Sequence, residues 1–439
     1  MGSRATVRPT TGADRWFQFK SEVHQKLVAT LSPDQLKAIN KDGVKNQIGN
    51  IIERLIVDEG VPMTMVEREK LTEEILDEVF GLGPLEQLLK DSTISDILVN
   101  GYDNVYVERG GRLVETNVRF KDSQHLRMII DRIVSAVGRR IDDSSPIVDA
   151  RLADGSRVCA VIPPLSLIGP VVSIRRYGKK LLTTEDLVKN ETFTTGMLDF
   201  MSGCVEARLN IVISGGSGSG KTTLLNTLSR FIPEEERIIT IEDTAELQLQ
   251  QNHVVRLETR PMNIEGAGAI TQRDLVINTL RMRPDRIIVG ESRGAEALDM
   301  LQAMNTGHDG SMTTVHANAP RDAFSRLETM VMMASQNVPD RVIRQQLASA
   351  IHLVCHVSRM SDGSRKVTGI AEVVGVKGDQ IDMQDIFMFE RTGVTERGKV
   401  VGAFRACGNM PLCLDRLRGY GIRLSKAIFH EVQEVKEKN

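Results

Sequence analysis

The sequence predicts an α/β protein: a parallel sheet wrapped by helices, preceded by a mixed α+β domain and an extra helical segment at the amino end. Three observations carry this reading. Strand-type apolar runs at Ile211, Ile238–Ile241, Arg286–Val289 and Met312–Val315 alternate with helix-type stretches, the pattern of parallel strands joined by helical crossovers. Gly110-Gly111 separates Val105–Arg109 from Arg112–Val114, a strong hairpin signal in the preceding region. A glycine-rich run at Gly215–Thr222 follows one strand and opens one helix.

That run, Gly215-Gly216-Ser217-Gly218-Ser219-Gly220-Lys221-Thr222, fits G-x-x-x-x-G-K-[ST], the phosphate-binding loop. Glycines let backbone N–H groups turn inward around phosphate oxygens, and the helix start adds its positive dipole at the same point. Lys221 is expected to reach the β- and γ-phosphates, the Thr222 hydroxyl to hold Mg2+, and Thr223 to extend the nucleotide-binding set. A glycine-rich turn with an incidental lysine is the plain alternative. The apolar strand Leu209–Ser214 before the run and the helical Thr223–Arg230 after it argue against that alternative.

At 439 residues the chain allows about two to three domains. A hydrophobic content of 41% and a charged content of 26% are ordinary for a globular protein. Net charge of -2 and 4% aromatic residues supply neither the basic footprint nor the stacking platforms of a nucleic-acid binder, so no direct nucleic-acid contact is expected. No run reaches the ~18 apolar residues of a membrane span, and Met1–Thr10 lacks the apolar core of a secretory signal. The expectation is a cytoplasmic protein whose membrane contact is indirect. Cys159, Cys204, Cys355, Cys407 and Cys413 form no C-x-x-C pair, which fits reduced thiols. His352-Leu353-Val354-Cys355-His356 invites a metal reading. However, Ile351, Leu353, Cys355 and Val357 alternate with the histidines, as in a strand with one wet face.

Along the chain, residues 1–80 divide into a polar tail to about residue 18 and a helical module. In that module Ile48, Ile51, Ile52, Leu55 and Ile56 share a helical face, and a further helix runs from about Val66 to Phe80. Residues 81–180 form the α+β domain. Pro84–Leu89 is helical there, and Asp96–Val99, Val158–Ile162 and Val171–Ile174 are strands. Asp122 caps a helix carrying Leu126, Ile129, Ile130, Ile133, Val134 and Val137. Residues 181–196, including the polar stretch Thr183–Thr195, look like a linker, and 197–439 form the nucleotide domain. Leu424–Lys438 is expected as a terminal helix.

A phosphate loop alone does not separate a kinase, a switch and a motor; the residues after it do. Asp285–Glu291 is an apolar strand ending in a glycine and an acid, and ligands of such sheets gather at the carboxyl ends of strands. Glu291 is therefore expected to face the γ-phosphate and polarise the attacking water, with a helix-capping acid as the alternative. Ile238–Glu246 is another strand ending in acids. Glu242, Asp243 and Glu246 can hold Mg2+ directly or through water, and Glu242 is also counted among the catalytic candidates. His316 ends a third strand and can bond the γ-phosphate. His308 stands eight residues earlier, up to about 26 Å away if the chain is extended, so the two are not expected to act as one pair.

The order Gly215–Thr222, Glu242-Asp243-Thr244-Ala245-Glu246, Arg281-Met282-Arg283-Pro284-Asp285 with Glu291, then Thr306-Gly307-His308 and His316-Ala317-Asn318 resembles the ATPases of type II and type IV secretion systems. Gly81–Glu86 and Ile97–Gly101 extend the resemblance into the preceding domain, so that it covers about Phe80 to the end of the chain. The subgroup that looks most similar is the CpaF-type ATPase of tight-adherence (Flp) pili. The resemblance implies a RecA-like P-loop domain at the carboxyl end and a PAS-like α+β domain before it. It further implies ATP and Mg2+ as ligands, a homohexameric ring, and inner-membrane pilus platform proteins as partners, with the ring peripheral to the inner membrane. Arginines of the preceding domain complete such sites, and Arg157, Arg175 and Arg176 are the matching candidates. The paired C-x-x-C motifs of many type II relatives are missing, so no zinc is expected.

Four functions compete at this stage. A motor driving pilus assembly fits the motif order. A motor for conjugation or effector secretion fits almost as well. A nucleotide switch without turnover is disfavoured by Glu291, because a switch needs no positioned base, and a DNA helicase by charge and aromatic content.

Overall fold

The structure is a computed structural model. It describes residues 63–176, 182–262, 267–335 and 338–435, together with scattered helical positions between 46 and 58. It divides into two compact units, 1–179 and 180–439. The expected tail lies outside the described residues. Of the expected early apolar face, Ile52 and Ile56 are buried, while Ile48 and Leu55 lie outside the described residues.

In the smaller unit, helix α1 (Met65–Phe80) begins with a capping box between Thr64 and Glu67 and ends at Gly81. The short α2 (Leu85–Lys90) leads into strands β1 (Ile94–Asn100), β2 (Val105–Arg109) and β3 (Arg112–Glu115). The Gly110-Gly111 hairpin pairs Tyr106 with Glu115 and Arg109 with Arg112. Asp122 caps α3 (Ser123–Ala136), its carboxylate accepting from the His125 N–H at 2.7 Å. Leu126, Ile129, Ile130, Ile133 and Val134 are buried on one face of α3, as the 3.6-residue spacing predicts. Strands β4 (Ile147–Arg151), β5 (Arg157–Val161) and β6 (Val171–Arg175) complete a six-stranded sheet of order β3-β2-β1-β6-β5-β4.

The larger unit opens with α4 (Thr184–Lys189), which replaces the expected polar linker. Thr183 and Asp186 form a capping box, and Leu187 is buried in the core, so the polar residues here are caps on a packed helix. Next come α5 (Thr195–Glu206), β7 (Ile211–Gly215), α6 (Lys221–Ser229), β8 (Ile238–Glu242), β9 (Val254–Glu258), α7 (Gln272–Thr279), β10 (Arg286–Ser292), α8 (Glu296–Asn305), β11 (Met312–His316), α9 (Pro320–Ala334) and α10 (Asp340–Ala350). Then β12 (Leu353–Arg359), β13 (Arg365–Lys377), β14 (Gln380–Val394), β15 (Val400–Ala406), α11 (Leu414–Gly419) and β16 (Val432–Val435) follow. Of the sixteen strands among the described residues, ten lie in one sheet of order β16-β15-β14-β13-β12-β7-β11-β10-β8-β9. From β12 to β9 the neighbours are parallel; from β12 to β16 they are antiparallel. The expected α/β class is therefore present, with an antiparallel extension and an outer strand β9 that the sequence reading did not contain.

Helices cover both faces of the parallel part. Leu224, Leu225 and Leu228 of α6 pack with Phe200 of α5 in one cluster, while Met300, Phe324 and Leu347 of α8, α9 and α10 pack in the other. β7 and β8 are buried along their whole length, which is why they read as runs rich in isoleucine and valine. β12 is covered in the same way, with Cys355 and Val357 in one cluster and Val354 in the other. The expected wet face is thus absent. His356 is 3% exposed and shares a 2.8 Å hydrogen bond with the Ser214 hydroxyl. Burial pulls its imidazole below the ordinary histidine range. The expected terminal helix is also replaced. After a 3-10 turn at Lys426–His430, Val432–Val435 pairs with β15 and buries Val435, because an edge strand with valines at both ends satisfies the open side of β15.

The amino ends of the parallel strands are held by buried polar groups. Arg286 at the start of β10 has a fully buried side chain that pairs with Glu236 and donates to the carbonyls of Val205 at 2.9 Å and Gly310 at 3.2 Å. Asn210, just before β7, accepts from the Gly310 and Ser311 N–H groups at 2.8 and 3.0 Å and donates to the Ala350 carbonyl at 2.7 Å.

Candidate nucleotide site

The carboxyl ends of the same strands carry the candidate reactive groups. Gly215 closes β7, and its backbone lies so near the Val357 carbonyl of β12 that a Cβ would collide with it. Gly218 and Gly220 take left-handed conformations, with φ of 63° and 98°, which glycine adopts at no steric cost. Gly220 caps α6 with no side-chain hydrogen bond, so the first-turn N–H groups of Lys221, Thr222 and Thr223 face the loop mouth. The Ser219 hydroxyl is buried without a hydrogen-bond partner. Together with Gly216 and Ser217, these residues form a glycine-lined cradle at the start of α6.

Lys221 is 8% exposed, and its ammonium donates to the Gly216 carbonyl at 2.9 Å. It also lies 3.4 Å from Nδ1 of His316. His316 ends β11, in register with Gly215 of β7. The same Nδ1 is 3.1 Å from Oε1 of Glu291. One tautomer donates to Glu291 and the other accepts from Lys221, so the ring answers to both neighbours.

Glu291 reaches this point because β10 changes register between Val289 and Ser292 relative to β11. The irregularity re-aims the side chain at the strand end. Thr314 Oγ1 holds it by donating to the Gly290 carbonyl at 2.8 Å, and the Ser292 and Thr313 hydroxyls meet at 2.9 Å. Gly290 has no side chain for a steric reason: a Cβ there would lie 2.9 Å from Cγ of Glu242.

Arg293 is the residue that sequence reasoning missed. Its Nε donates to Oε2 of Glu291 at 2.9 Å, a second bond runs from Nη2, and Nη1 lies 3.4 Å from Asp243. It therefore bridges the ends of β10 and β8. The signal available was its position two residues after Glu291, on the same side of an extended chain. Burial pushes the Glu291 carboxyl up, but the hydrogen bonds from Arg293 and His316 outweigh it and hold the group below the usual glutamate range. A group with a lowered pKa stays ionised until the pH falls through that value. Arg293→Ala removes the larger of the two hydrogen-bonding contributions that lower it and leaves the burial. The acid limb of the turnover–pH profile is then expected to move to higher pH, measured by phosphate release between pH 4 and 8; an unmoved limb rejects the Arg293–Glu291 coupling.

The three acids expected to gather around Mg2+ diverge. Glu242 is 3% exposed, and its Oε2 accepts from the Glu246 and Leu247 N–H groups at 2.7 and 2.8 Å. Burial pushes its carboxyl above the usual range against those bonds. Its Oε1 is buried without a hydrogen-bond partner. Asp243 is engaged by Arg293, and among the described residues no group of three acid, histidine or cysteine side chains forms a metal cage.

His308 is not brought to the loop. It precedes β11 at the amino end, where its carbonyl accepts from the Ser311 hydroxyl at 2.8 Å, whereas His316 closes the carboxyl end. In the smaller unit, Arg157 and Arg175 are cross-strand neighbours on β5 and β6. Arg176 is engaged by the carbonyls of Leu89 at 2.7 Å, Ile94 at 3.2 Å and Asp91, which ties the end of β6 to the segment before β1. Its two terminal nitrogens are engaged in local structure, whereas its Nε is buried without a hydrogen-bond partner.

A glycine cradle between a parallel strand and a helix, with a lysine at its base and an acid two strands away, defines the RecA-like P-loop class. The chain belongs to the type II/IV secretion system protein family, which matches residues 78–399. Residues 16–80 match the N-terminal domain of type II secretion system protein E. A Mycobacterium tuberculosis protein whose name assigns it to conjugal transfer is 38% identical over 307 residues, 69% of this chain and 87% of that protein. The conjugal transfer protein TrbB of Rhizobium radiobacter is 34% identical over 66% of this chain and 86% of its own length. The crystal structure of the VirB11 ATPase from Brucella suis, in complex with sulphate, is 30% identical, covers 66% of this chain and 96% of that one, and has a TM-score of 0.37. Membership of this family implies ATP hydrolysis.

Proposed function

We propose that the chain is an ATP-hydrolysing motor subunit of a pilus or secretion machine, working as a homohexamer at the cytoplasmic face of the inner membrane. The carrying observation is Glu291: an ionised carboxylate at a re-aimed strand end, in contact with His316, which in turn meets Lys221. In this reading Lys221 and the loop N–H groups bind the β- and γ-phosphates, Glu291 accepts a proton from the attacking water, and His316 responds to the γ-phosphate. Bound with the nucleotide, Mg2+ would neutralise phosphate charge, held by Thr222 and Glu242. Arg157 or Arg175 would supply transition-state charge stabilisation. Among the described residues no helix is long and apolar enough to cross a membrane, so recruitment by membrane platform proteins is part of the proposal.

The motif resemblance favours a tight-adherence (Flp) pilus as the machine driven. A second reading, conjugal or other type IV secretion traffic, is favoured by the names of the relatives at 38% and 34% identity. Two measurements test these. The purified chain should release phosphate from ATP, and Lys221→Ala should abolish that release; a wild-type chain without turnover at saturating ATP leaves only the nucleotide-switch reading. In cells, chromosomal Lys221→Ala should abolish surface filaments if the pilus reading holds, and plasmid transfer if the conjugation reading holds.

A further inference from the structure

His356 is a buried hydrogen-bonding group that the proposed chemistry leaves unused. β12 runs parallel to β7 with His356 beside Ser214, and β11 flanks β7 on the other side with Val315 beside Ser214 and His316 beside Gly215. Side chains alternate along each strand, so His356 shares a face with Val354, and Ser214 with Val212. Both valines belong to the cluster that contains Ala323 and Phe324 of α9. His356 and Ser214 thus lie at the base of the phosphate loop, on the face that α9 covers.

The ring is held from two sides. Its Nδ1 meets the Ser214 hydroxyl at 2.8 Å. It also hydrogen-bonds the backbone of Asn318, two residues beyond His316. Burial makes the ring neutral at pH 7, and the Lys221 charge acts in the same direction, against the Asp322 carboxylate and the Asn318 bond. A neutral imidazole has one acceptor and one donor nitrogen. Accepting from the Ser214 hydroxyl and donating to the Asn318 carbonyl uses both.

The surroundings are fitted to this bridge. The Ala317 N–H donates to the Gly215 carbonyl at 3.4 Å, a second tether on the segment that carries His316. The carbonyl of Val357, next in the chain after His356, is the group that abuts Gly215. Opposite His356 on β13 stands Gly369, where a Cβ would lie 3.2 Å from Cγ of Pro320, the first residue of α9. The base of the phosphate loop, β12 and the segment after β11 therefore meet at one side chain.

We propose that His356 is a positioning residue of the hydrolytic site. It fastens Ser214 to the segment beyond His316, and so keeps Nδ1 of His316 between Lys221 and Glu291. This rests on the proposed ATP hydrolysis. Steady-state hydrolysis by the full chain tests it, with thermal melting to set the folded fraction. His356→Phe is expected to lower kcat about tenfold, within the hundredfold that a ~1 Å misplacement can cost, and to leave KM for ATP within about twofold. Ser214→Ala is expected to show a smaller loss of the same kind, and serves as the test should His356→Phe fail to fold. His356→Gln, whose amide can still donate to Asn318, is expected to recover most of the loss. A role in packing alone would lower the melting temperature and leave kcat per folded molecule unchanged, and that result overturns the assignment. Because the bridge acts through His316, Ser214→Ala should add no further loss in a His316→Ala background; a full multiplicative loss there overturns it as well. A wild-type chain that hydrolyses no ATP removes instead the function on which the bridge depends.

Discussion

Glu291→Gln is expected to lower ATP turnover by about a hundred- to ten-thousand-fold while leaving ATP affinity within a few-fold of wild type. The amide keeps the size of the carboxylate; its oxygen can still accept from Arg293, and its NH2 can donate to Nδ1 of His316. It cannot take a proton from water. Lys221 and the loop glycines, which bind rather than react in the proposed mechanism, are left in place. Phosphate release at saturating ATP reports the chemistry, and titration with ATP reports the binding. Turnover at the wild-type rate would falsify the base assignment and leave Glu291 as a partner for Arg293.

Glu236→Ala is expected to destabilise the protein by about 3–5 kcal/mol, the cost of leaving a buried cation without its counter-ion. The Arg286 side chain is fully buried, and that of Glu236 is 13% exposed. Burial pulls the Arg286 guanidinium below its ordinary range, while its bonds to Glu236 support the charged form. The carbonyls of Gly310 and Val205 cannot replace the lost carboxylate, and Arg208 loses its 3.2 Å partner as well. Urea unfolding measures the difference. Glu236→Gln, which keeps an acceptor, should lose less. A Glu236→Ala loss under about 1 kcal/mol would place the pair among ordinary surface contacts.

The readable parts of the chain were those whose physics is local. Gly215–Thr222 announces its conformation through glycines, a lysine and the flanking strand and helix, and Asp122 with its i, i+3, i+4 followers announces α3. Strands β7, β8, β10 and β11 were legible because burial on both faces leaves runs rich in apolar and β-branched residues. What escaped depends on distant partners. β14 and β15 form a long antiparallel pair whose alternation is interrupted by register shifts. β16 is a strand only because β15 offers it an edge. The burial of His356 follows from neighbours on both sides of β12, invisible in the alternation around it. The places of Glu291 and His316 near the ends of β10 and β11 were legible from the strand patterns. The divergence of Glu242, Asp243 and Glu246 was not, because a backbone turn claims one acid and Arg293 another.

Arg286 and Asn210 anchor one rim of the parallel strands; Glu291 and His316 occupy the other. A five-residue strand such as β11 separates the rims by roughly 13 Å, beyond direct contact. Foundation and workshop are therefore housed apart. Damage to the foundation should show as early melting with turnover per folded molecule preserved, and damage to the workshop as silent chemistry in a molecule that melts normally.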